Sequence, residues 1–191
     1  MPTRNAPIAL VVLGVVLALA GCSSSIAPAP VPTSPAAVST TSAAAPTAAA
    51  TDVRSAPGGA AFVSPSGRIA CLMDPEFVRC EYAGGKAWKA PEPDGCELDW
   101  GSEIELHDVA YPGCIGDTIR MESAVTSTNV GWWRTTDPTV TSDGATLAAL
   151  PYGSAITAGT IRCDSAATGV TCLNLSTRHG FSMAREAYRI F

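Results

Sequence analysis

Two segments, Cys71-Leu-Met-Asp-Pro-Glu-Phe-Val-Arg-Cys80 and Cys163-Asp-Ser-Ala-Ala-Thr-Gly-Val-Thr-Cys172, carry the pattern that decides the fold. In each segment two cysteines nine positions apart enclose turn-forming residues. If each segment is a hairpin centred between its cysteines, the cysteines face each other on adjacent antiparallel strands, with Cα atoms about 4.5–5.5 Å apart. Because this separation is within disulfide reach, the spacing predicts the bonds Cys71–Cys80 and Cys163–Cys172.

The other cysteines fit an exported protein. Of the 7 cysteines, Cys22 follows an N-terminal apolar run, so Cys96 and Cys114 form the third pair by elimination among fifteen pairings. So many cysteines in a small chain indicate an oxidising compartment. No C-x-x-C motif occurs, and His107 and His179 lie far from any close cysteine pair, so we expect neither a metal nor a cofactor.

Outward from the hairpins, short β-like runs separated by Gly, Pro, Asp and Ser predict an all-β domain. Alternation in residues 103–109 predicts that Ile104 and Leu106 face a core and that the intervening polar residues face solvent. No crossover helices are visible, so we expect a compact antiparallel sandwich or a small barrel with two disulfide-bridged hairpins. The predicted strands are residues 68–73, 77–82, 103–109, 118–125, 155–164, 170–175 and 187–191.

Residues 1–21 have the pattern of a secretory signal. Arg4 precedes the apolar run of residues 8–20, IALVVLGVVLALA, which spans about 20 Å as a helix and is shorter than a hydrocarbon core. Leu19-Ala20-Gly21-Cys22 resembles a bacterial lipobox. The resemblance implies cleavage before Cys22, acylation of that cysteine by chains such as palmitate, and anchoring at the extracytoplasmic side of the cell membrane. The alternative is a plain secreted protein with an incidental cysteine.

Residues 23–51 are composed almost entirely of small residues. Of these 29 residues, 26 are Ala, Pro, Ser or Thr and none is charged, so they cannot bury enough apolar surface to offset their ordering entropy. We therefore expect a disordered tether over residues 22–59 and a folded domain over residues 60–191. The tether also has the composition of an O-glycosylated stalk.

Two groups of residues are candidates for ligand contact. If Trp132 and Trp133 lie in a strand, one points to the core and the other points outward, where it could stack on a sugar ring beside Arg134. His179 and Arg185 share a strand face by alternation, so they could flank a shallow anionic site. The alternative for His179 is an ordinary hydrogen-bonded residue at a strand start.

The sequence contains no recognisable catalytic constellation. A G-x-S-x-G motif is missing, and His107 and Asp108 are adjacent, so in a strand they point to opposite faces. The run from Glu92 to Asp108 holds seven carboxylates and no Lys or Arg. A solvated acidic face, a calcium site and a glycosidase carboxylate pair are the alternatives for this run.

Several motifs resemble, in order, those of a family of small exported actinobacterial proteins with disulfide bonds, a family to which no activity is assigned. The motifs are Phe62-Val-Ser64-Pro65-Ser66-Gly67-Arg-Ile69-Ala-Cys71, Arg79-Cys80-Glu81, Cys114-Ile-Gly-Asp117-Thr118, Leu150-Pro151-Tyr152-Gly153, Arg162-Cys163, Gly169-Val170-Thr-Cys172 and His179-Gly180-Phe181-Ser-Met-Ala-Arg185-Glu-Ala-Tyr188. The resemblance implies one disulfide-bonded exported domain and supplies no catalytic residues. The lipobox is similar to that of mycobacterial-type lipoproteins. By composition, the two Pro-containing motifs at residues 64–67 and 150–153 predict turns.

These observations favour a cell-envelope lipoprotein that binds a glycan, a lipid or a protein partner without catalysing a reaction. A net charge of −5 and the lack of any Lys or Arg block exclude nucleic acid as a partner. The alternatives are an envelope hydrolase acting on glycan or ester substrates and a structural accessory protein defined by a protein partner. A hydrolase would require a pocket that joins His107 or His179 to a serine or a carboxylate.

Overall fold

The computed structural model describes residues 49–191, and within them the regular structure is all β apart from two short 3-10 helices, as predicted. Cys22, the signal sequence and residues 23–48 of the expected tether lie outside the described residues. No helix within residues 49–191 is long and apolar enough to cross a membrane. The strands are β1 Asp52–Ser55, β2 Ala60–Val63, β3 Ile69–Met73, β4 Val78–Tyr82, β5 Asp99–Leu106, β6 Ala110–Ile115, β7 Thr139–Ser142, β8 Ala145–Ala148, β9 Ser154–Ala158, β10 Ile161–Ala166, β11 Gly169–Asn174, β12 Gly180–Met183 and β13 Tyr188–Ile190; the 3-10 helices are Arg120–Ser123 and Thr128–Val130.

The strands form two large sheets and one isolated hairpin. One sheet is antiparallel throughout, in the order β2-β3-β4-β5-β6. The other has the order β1-β9-β10-β11-β12-β13, in which only the pairing of β1 with β9 is parallel. Strands β7 and β8 form the separate hairpin. The predicted antiparallel, disulfide-bridged fold is therefore confirmed, with one parallel edge strand that the sequence did not indicate.

All three predicted disulfides are present. Cys71 faces Cys80 across β3 and β4, and Cys163 faces Cys172 across β10 and β11, with Cα atoms 4.2 and 4.1 Å apart. The third bond, Cys96–Cys114, joins the loop before β5 to β6 with a Cα separation of 5.7 Å. Each hairpin thus carries its disulfide at directly opposed residues, as the nine-residue spacing predicts.

The two large sheets contribute to a single hydrophobic core, which is the arrangement of a sandwich. Its buried residues include Phe62, Ile104 and Leu106 from the five-stranded sheet and Ile156 and Phe181 from the six-stranded sheet. A smaller cluster lies around Val63, Ala70, Ile119, Leu147 and Ala149. Since Ala70 alternates with the core residues Ile69 and Cys71 on β3, this cluster marks the opposite face of the five-stranded sheet.

Three strand predictions need correction. Residues 118–125 contain the 3-10 helix Arg120–Ser123 instead of a strand, and residues 155–164 form two strands joined by a turn at Gly159. Gly159 has a φ of +51°, and a Cβ there would lie 2.2 Å from the Pro75 carbonyl oxygen, so this turn requires glycine. Glu103, predicted to face solvent, has no exposed surface. The alternation holds for Ile104 and Leu106, which are fully buried.

The expected domain boundary at residue 60 lies too far along the chain, because β1 precedes it. Arg54 of β1 donates hydrogen bonds to Asp52 and to Asp137, and its guanidinium also lies 5.4 Å from the centre of the Trp132 ring. The Arg54 and Asp137 side chains are only 4% and 7% exposed. The buried ion pair between Arg54 and Asp137 therefore holds residues 52–55 against the domain, although the residues that precede them have the composition of a tether.

Candidate functional site

One end of the sandwich carries a groove of about 440 Å³, which we call the end groove. Ser64, Ser66 and Arg68, in the connection between β2 and β3, line one wall. Residues of the six-stranded sheet, with Thr168 between β10 and β11 and Arg185 and Glu186 between β12 and β13, line the opposite wall. Tyr82 and Tyr152 complete the polar lining. The volume is within the range of small-molecule sites in proteins.

The Ser64–Arg68 wall is a tight turn held by its own hydroxyl groups. Ser64 Oγ accepts a hydrogen bond from the Ile69 backbone N–H, and it lies 3.0 Å from Ser66 Oγ. Gly67, at φ +68°, donates its N–H to the Ser64 carbonyl oxygen. Arg120 donates from Nη1 to the Gly67 carbonyl oxygen at 2.6 Å. The turn predicted from the Ser-Pro-Ser-Gly motif is confirmed, and its backbone is braced from both sides.

The opposite wall is held against the five-stranded sheet by the segment after Gly85. Trp88 donates its indole N–H to the Ala184 carbonyl oxygen, and the Ala87 N–H donates to the Arg185 carbonyl oxygen, both at 2.8 Å. Gly169 approaches β12 so closely that a Cβ would lie 2.2 Å from the Met183 carbonyl oxygen. These contacts restrain the backbone that carries Arg185, which lines the end groove together with Arg68.

The end groove has a positive balance of charge although the chain is acidic overall. Two arginines, Arg68 and Arg185, and one carboxylate, Glu186, line it. Among residues 49–191, no carboxylate oxygen lies within 4.0 Å of the Arg68 guanidinium nitrogens. Arg185 Nε lies 3.7 Å from Glu186 Oε1, but both side chains are more than 70% exposed, so this ion pair is weak. Arg68 Nη1 donates a hydrogen bond to the Ala83 carbonyl oxygen at 3.4 Å. The remaining N–H groups of both guanidinium groups can donate to an acidic ligand.

A comparison with family models finds no match. Neither the curated proteins nor the solved structures match the chain.

Trp132, Trp133 and Arg134 do not form the exposed strand platform that the sequence suggested. They lie in a turn after the second 3-10 helix, and the Trp132 ring is buried against Phe62 with its indole N–H donated to the Ala61 carbonyl oxygen. Trp133 is half-buried, and its Nε1 is buried without a partner among the described residues. Arg134 pairs with Asp52 at 3.2 Å. Trp132 therefore packs in the core, and Arg134 helps to hold β1 against the domain.

The predicted pair of His179 and Arg185 is separated by β12. Phe181 and Met183 occupy the same alternating positions and are both buried, so core side chains fill the space between the two ends. Arg185 lines the end groove, whereas His179 is exposed in the turn between β11 and β12. His107 lies at the end of the β5–β6 hairpin, where its ring packs at a tilt against Phe77 and lies parallel to the Tyr111 ring. Neither histidine lines the end groove.

The acidic run divides between a loop and a sheet. Glu92, Asp94 and Glu97 are exposed in the loop before β5, whereas Glu103 is buried on β5 beside Glu105. Both Glu103 carboxyl oxygens lack hydrogen-bond partners within the described part of the chain. Burial raises the pKa of Glu103 to about 8; Arg79, 3.8 Å away, opposes this increase, and Glu105 and Glu81 add to it. At neutral pH this carboxyl group is therefore protonated.

The end groove is lined mostly by residues that the sequence did not identify as candidates for ligand contact. Ser66 and Tyr152 belong to segments that the sequence predicts as turns, and Arg68 begins a predicted strand; the structure brings them together across more than eighty positions of sequence. Of the residues that line the end groove, the sequence had singled out only Arg185 as a candidate for ligand contact. The cysteine sulfur atoms that lie close together in the core belong to disulfides, so in this oxidised state they offer no thiolate to a metal.

Proposed function

We propose that this chain is an extracytoplasmic lipoprotein, anchored through acylated Cys22, whose β domain binds an acidic sugar or sugar phosphate in the end groove without transforming it. The membrane anchor rests on the lipobox resemblance of residues 19–22. The ligand rests on one observation: Arg68 and Arg185, which belong to connections in different sheets, both line the groove of about 440 Å³.

The chemistry of the lining supports an acidic, hydroxyl-bearing ligand. Guanidinium groups bind carboxylates and phosphates through paired, charge-assisted hydrogen bonds. Ser66 and Thr168 offer hydroxyl groups that donate or accept, and Tyr152, 44% exposed, offers an aromatic face for a sugar ring. Glu186 can accept hydrogen bonds from ligand hydroxyl groups. Because its carboxylate repels anions, it disfavours an anionic ligand that has no hydroxyl groups to donate to it.

Binding is tested by thermal unfolding of the full chain, solubilised in detergent, with glucuronic acid, glucose 6-phosphate and uncharged glucose. A ligand at 100 times its Kd stabilises the folded state by about 2.7 kcal/mol, which raises the Tm by several degrees. We expect one or both charged sugars to raise the Tm and glucose to leave it unchanged. An equal response to all three, or a response to none, contradicts the proposal.

A matched pair of variants assigns the site. Arg68→Gln combined with Arg185→Gln should weaken binding of the charged sugar by on the order of tenfold or more, because each lost charged hydrogen bond contributes about 1.5–3 kcal/mol. Arg189→Gln is the control, since Arg189 is also exposed but lies on β13 outside the groove. Equal losses in both variants would indicate only a general charge effect. A separate incubation distinguishes binding from hydrolysis. The protein is incubated with a glycoside or ester derivative of the charged sugar, and the mass of the recovered compound is measured. A binding protein leaves this mass unchanged, whereas a hydrolase releases the free sugar.

A further inference from the structure

Four of the cysteines place their sulfur atoms together at the centre of the sandwich. The Cys80 and Cys172 Sγ atoms, which belong to different disulfides and different sheets, lie 3.9 Å apart. The Sγ atoms of Cys71, Cys80 and Cys172 all lie within 4.8 Å of one another, in a group that does not include Cys163. All four side chains are at most 1% exposed.

The strand registers explain why these two disulfides meet. In one sheet, Phe62, Cys71, Cys80 and Ile104 lie side by side on β2, β3, β4 and β5. In the other sheet, Ile156, Cys163, Cys172 and Phe181 lie side by side on β9, β10, β11 and β12. The same residue types thus occur in opposite order in the two rows. The second cysteine of each hairpin is the one that approaches the other sheet.

We infer that these four cysteines form one thiol–disulfide exchange site, which a dithiol reductant converts from two bonds within sheets to a single bond between sheets. The inference is independent of the proposed function. The reductant supplies two electrons and two protons to one hairpin disulfide and becomes a disulfide itself. If Cys71–Cys80 is reduced, the Cys80 thiolate attacks Cys172 Sγ; the Cys80–Cys172 bond forms, the Cys163–Cys172 bond breaks, and its electron pair leaves on Cys163, which takes up a proton.

The same product results whichever disulfide is reduced first. If Cys163–Cys172 is reduced, the Cys172 thiolate attacks Cys80 Sγ and releases Cys71. Both routes end with a Cys80–Cys172 bond and with thiols at Cys71 and Cys163. The 3.9 Å approach of Cys80 and Cys172 provides the contact for both routes. Cys96–Cys114 takes no part, because neither of its sulfur atoms belongs to the buried group.

Two double variants of the full chain test the exchange contact. Cys71→Ser with Cys163→Ser leaves Cys80 and Cys172 in the core, and we expect these to form a disulfide in air. Cys80→Ser with Cys172→Ser is the matched control, which removes the same number of sulfur atoms but leaves Cys71 and Cys163, of which Cys163 lies outside the close group; we expect free thiols. Peptide mapping without reduction identifies the disulfide bonds in both variants. An intact Cys96–Cys114 bond shows that each sample was oxidised. Thiols at Cys80 and Cys172 in a variant that retains the wild-type near-UV spectrum would overturn the inference.

The wild-type chain supplies a second measurement that does not depend on the variants folding. The chain is treated with limiting dithiothreitol, the thiols are alkylated in acid, and species that have lost one core disulfide are mapped. We expect alkylation at Cys71 and Cys163 to exceed alkylation at Cys80 and Cys172 by tenfold or more. Alkylation of Cys71 with Cys80, or of Cys163 with Cys172, would show simple reduction without exchange and would contradict the inference.

Discussion

At Glu103 a carboxyl group without exposed surface lies among other carboxylates. The cross-strand partner of Glu103 is Glu81, whose oxygens accept hydrogen bonds from Thr118 and from the Ile119 N–H. Glu105 accepts a hydrogen bond from Tyr111. Glu103 itself has no such partner within residues 49–191, and a β-bulge brings Gly113 so close that a Cβ there would lie 2.6 Å from its Oε1. The available hydrogen-bond donors thus bind to Glu81 and Glu105. Because no donor stabilises a negative charge on Glu103, its carboxyl group is neutral.

This environment predicts a pH-dependent cost to stability. The pKa of Glu103 rises from 4.5 to about 8 on folding, so between these values the unfolded chain releases a proton that the folded chain retains. The free energy of unfolding therefore falls as pH increases through this interval and levels off above it. Glu103→Gln removes the titration, and we expect it to stabilise the domain by on the order of 3 kcal/mol at pH 8 and by much less at pH 4.

Urea unfolding of both proteins from pH 4 to pH 9 measures the effect. Glu97→Gln is the control, since Glu97 is an exposed acid in the loop before β5 and its removal should leave the pH profile unchanged. Parallel profiles for the wild type and Glu103→Gln would contradict the raised pKa.

Among the elements, β1 shows how a weak sequence signal can be outweighed by a tertiary contact. Its four residues form the only parallel pairing between the described strands, and Arg54 connects it to Asp137 some eighty positions later. Burial alone would raise the pKa of Asp137, but hydrogen bonds from Arg54 and from the Arg134 N–H outweigh it, so the pKa lies below its ordinary value. The Asp137 carboxylate therefore stabilises the fold above its unfolded pKa, and this contribution is lost as pH falls through the folded value.

Arg54→Met is predicted to destabilise the domain by about 3–5 kcal/mol, because it leaves the Asp137 carboxylate buried without its cation. Arg134→Met, which removes an exposed partner of Asp52, should cost less than about 1 kcal/mol. Adding Asp137→Leu to Arg54→Met should recover part of the loss. Equal effects of the two arginine variants in urea unfolding would show that burial does not distinguish these ion pairs.

For the whole molecule, the position of β1 determines where the folded domain begins. A chain that starts at Ala60 lacks β1 and leaves Asp137 without Arg54, whereas a chain that starts at Ala49 retains both. We expect the shorter chain to unfold at a lower temperature, with a loss of at least about 3 kcal/mol. Calorimetry of the two chains checks this, and equal melting temperatures would restore the boundary at residue 60.

From the amino-acid sequence by itself, the all-β class, the two hairpin disulfides and six of the seven predicted strand segments were correct, whereas β1, β2, β6, β7, β8 and β12 were not predicted. The third disulfide, Cys96–Cys114, followed from the sequence only by elimination. The correctly predicted features follow from local physical rules: cysteines nine positions apart are opposed in a short hairpin, and Gly67 and Gly153 adopt the positive φ that turns require. Ile104 and Leu106 were identified as core residues because side chains alternate along a strand. Each of these signals is contained within about ten consecutive residues.

The contacts between residues that are far apart in sequence follow from the packing of the sheets and could not be predicted from the sequence. Arg68 and Arg185 face one groove because two turns from different sheets end at the same side of the sandwich. Glu103 is buried because the β5–β6 bulge and the register with β4 close around it, and Trp132 enters the core because a 3-10 helix positions it over Phe62. The close approach of Cys80 and Cys172 depends on the packing of one sheet on the other. The alternation of residues within a strand predicts which side chains face the core. The residues that these side chains contact depend on chain topology and sheet packing, which no short segment encodes.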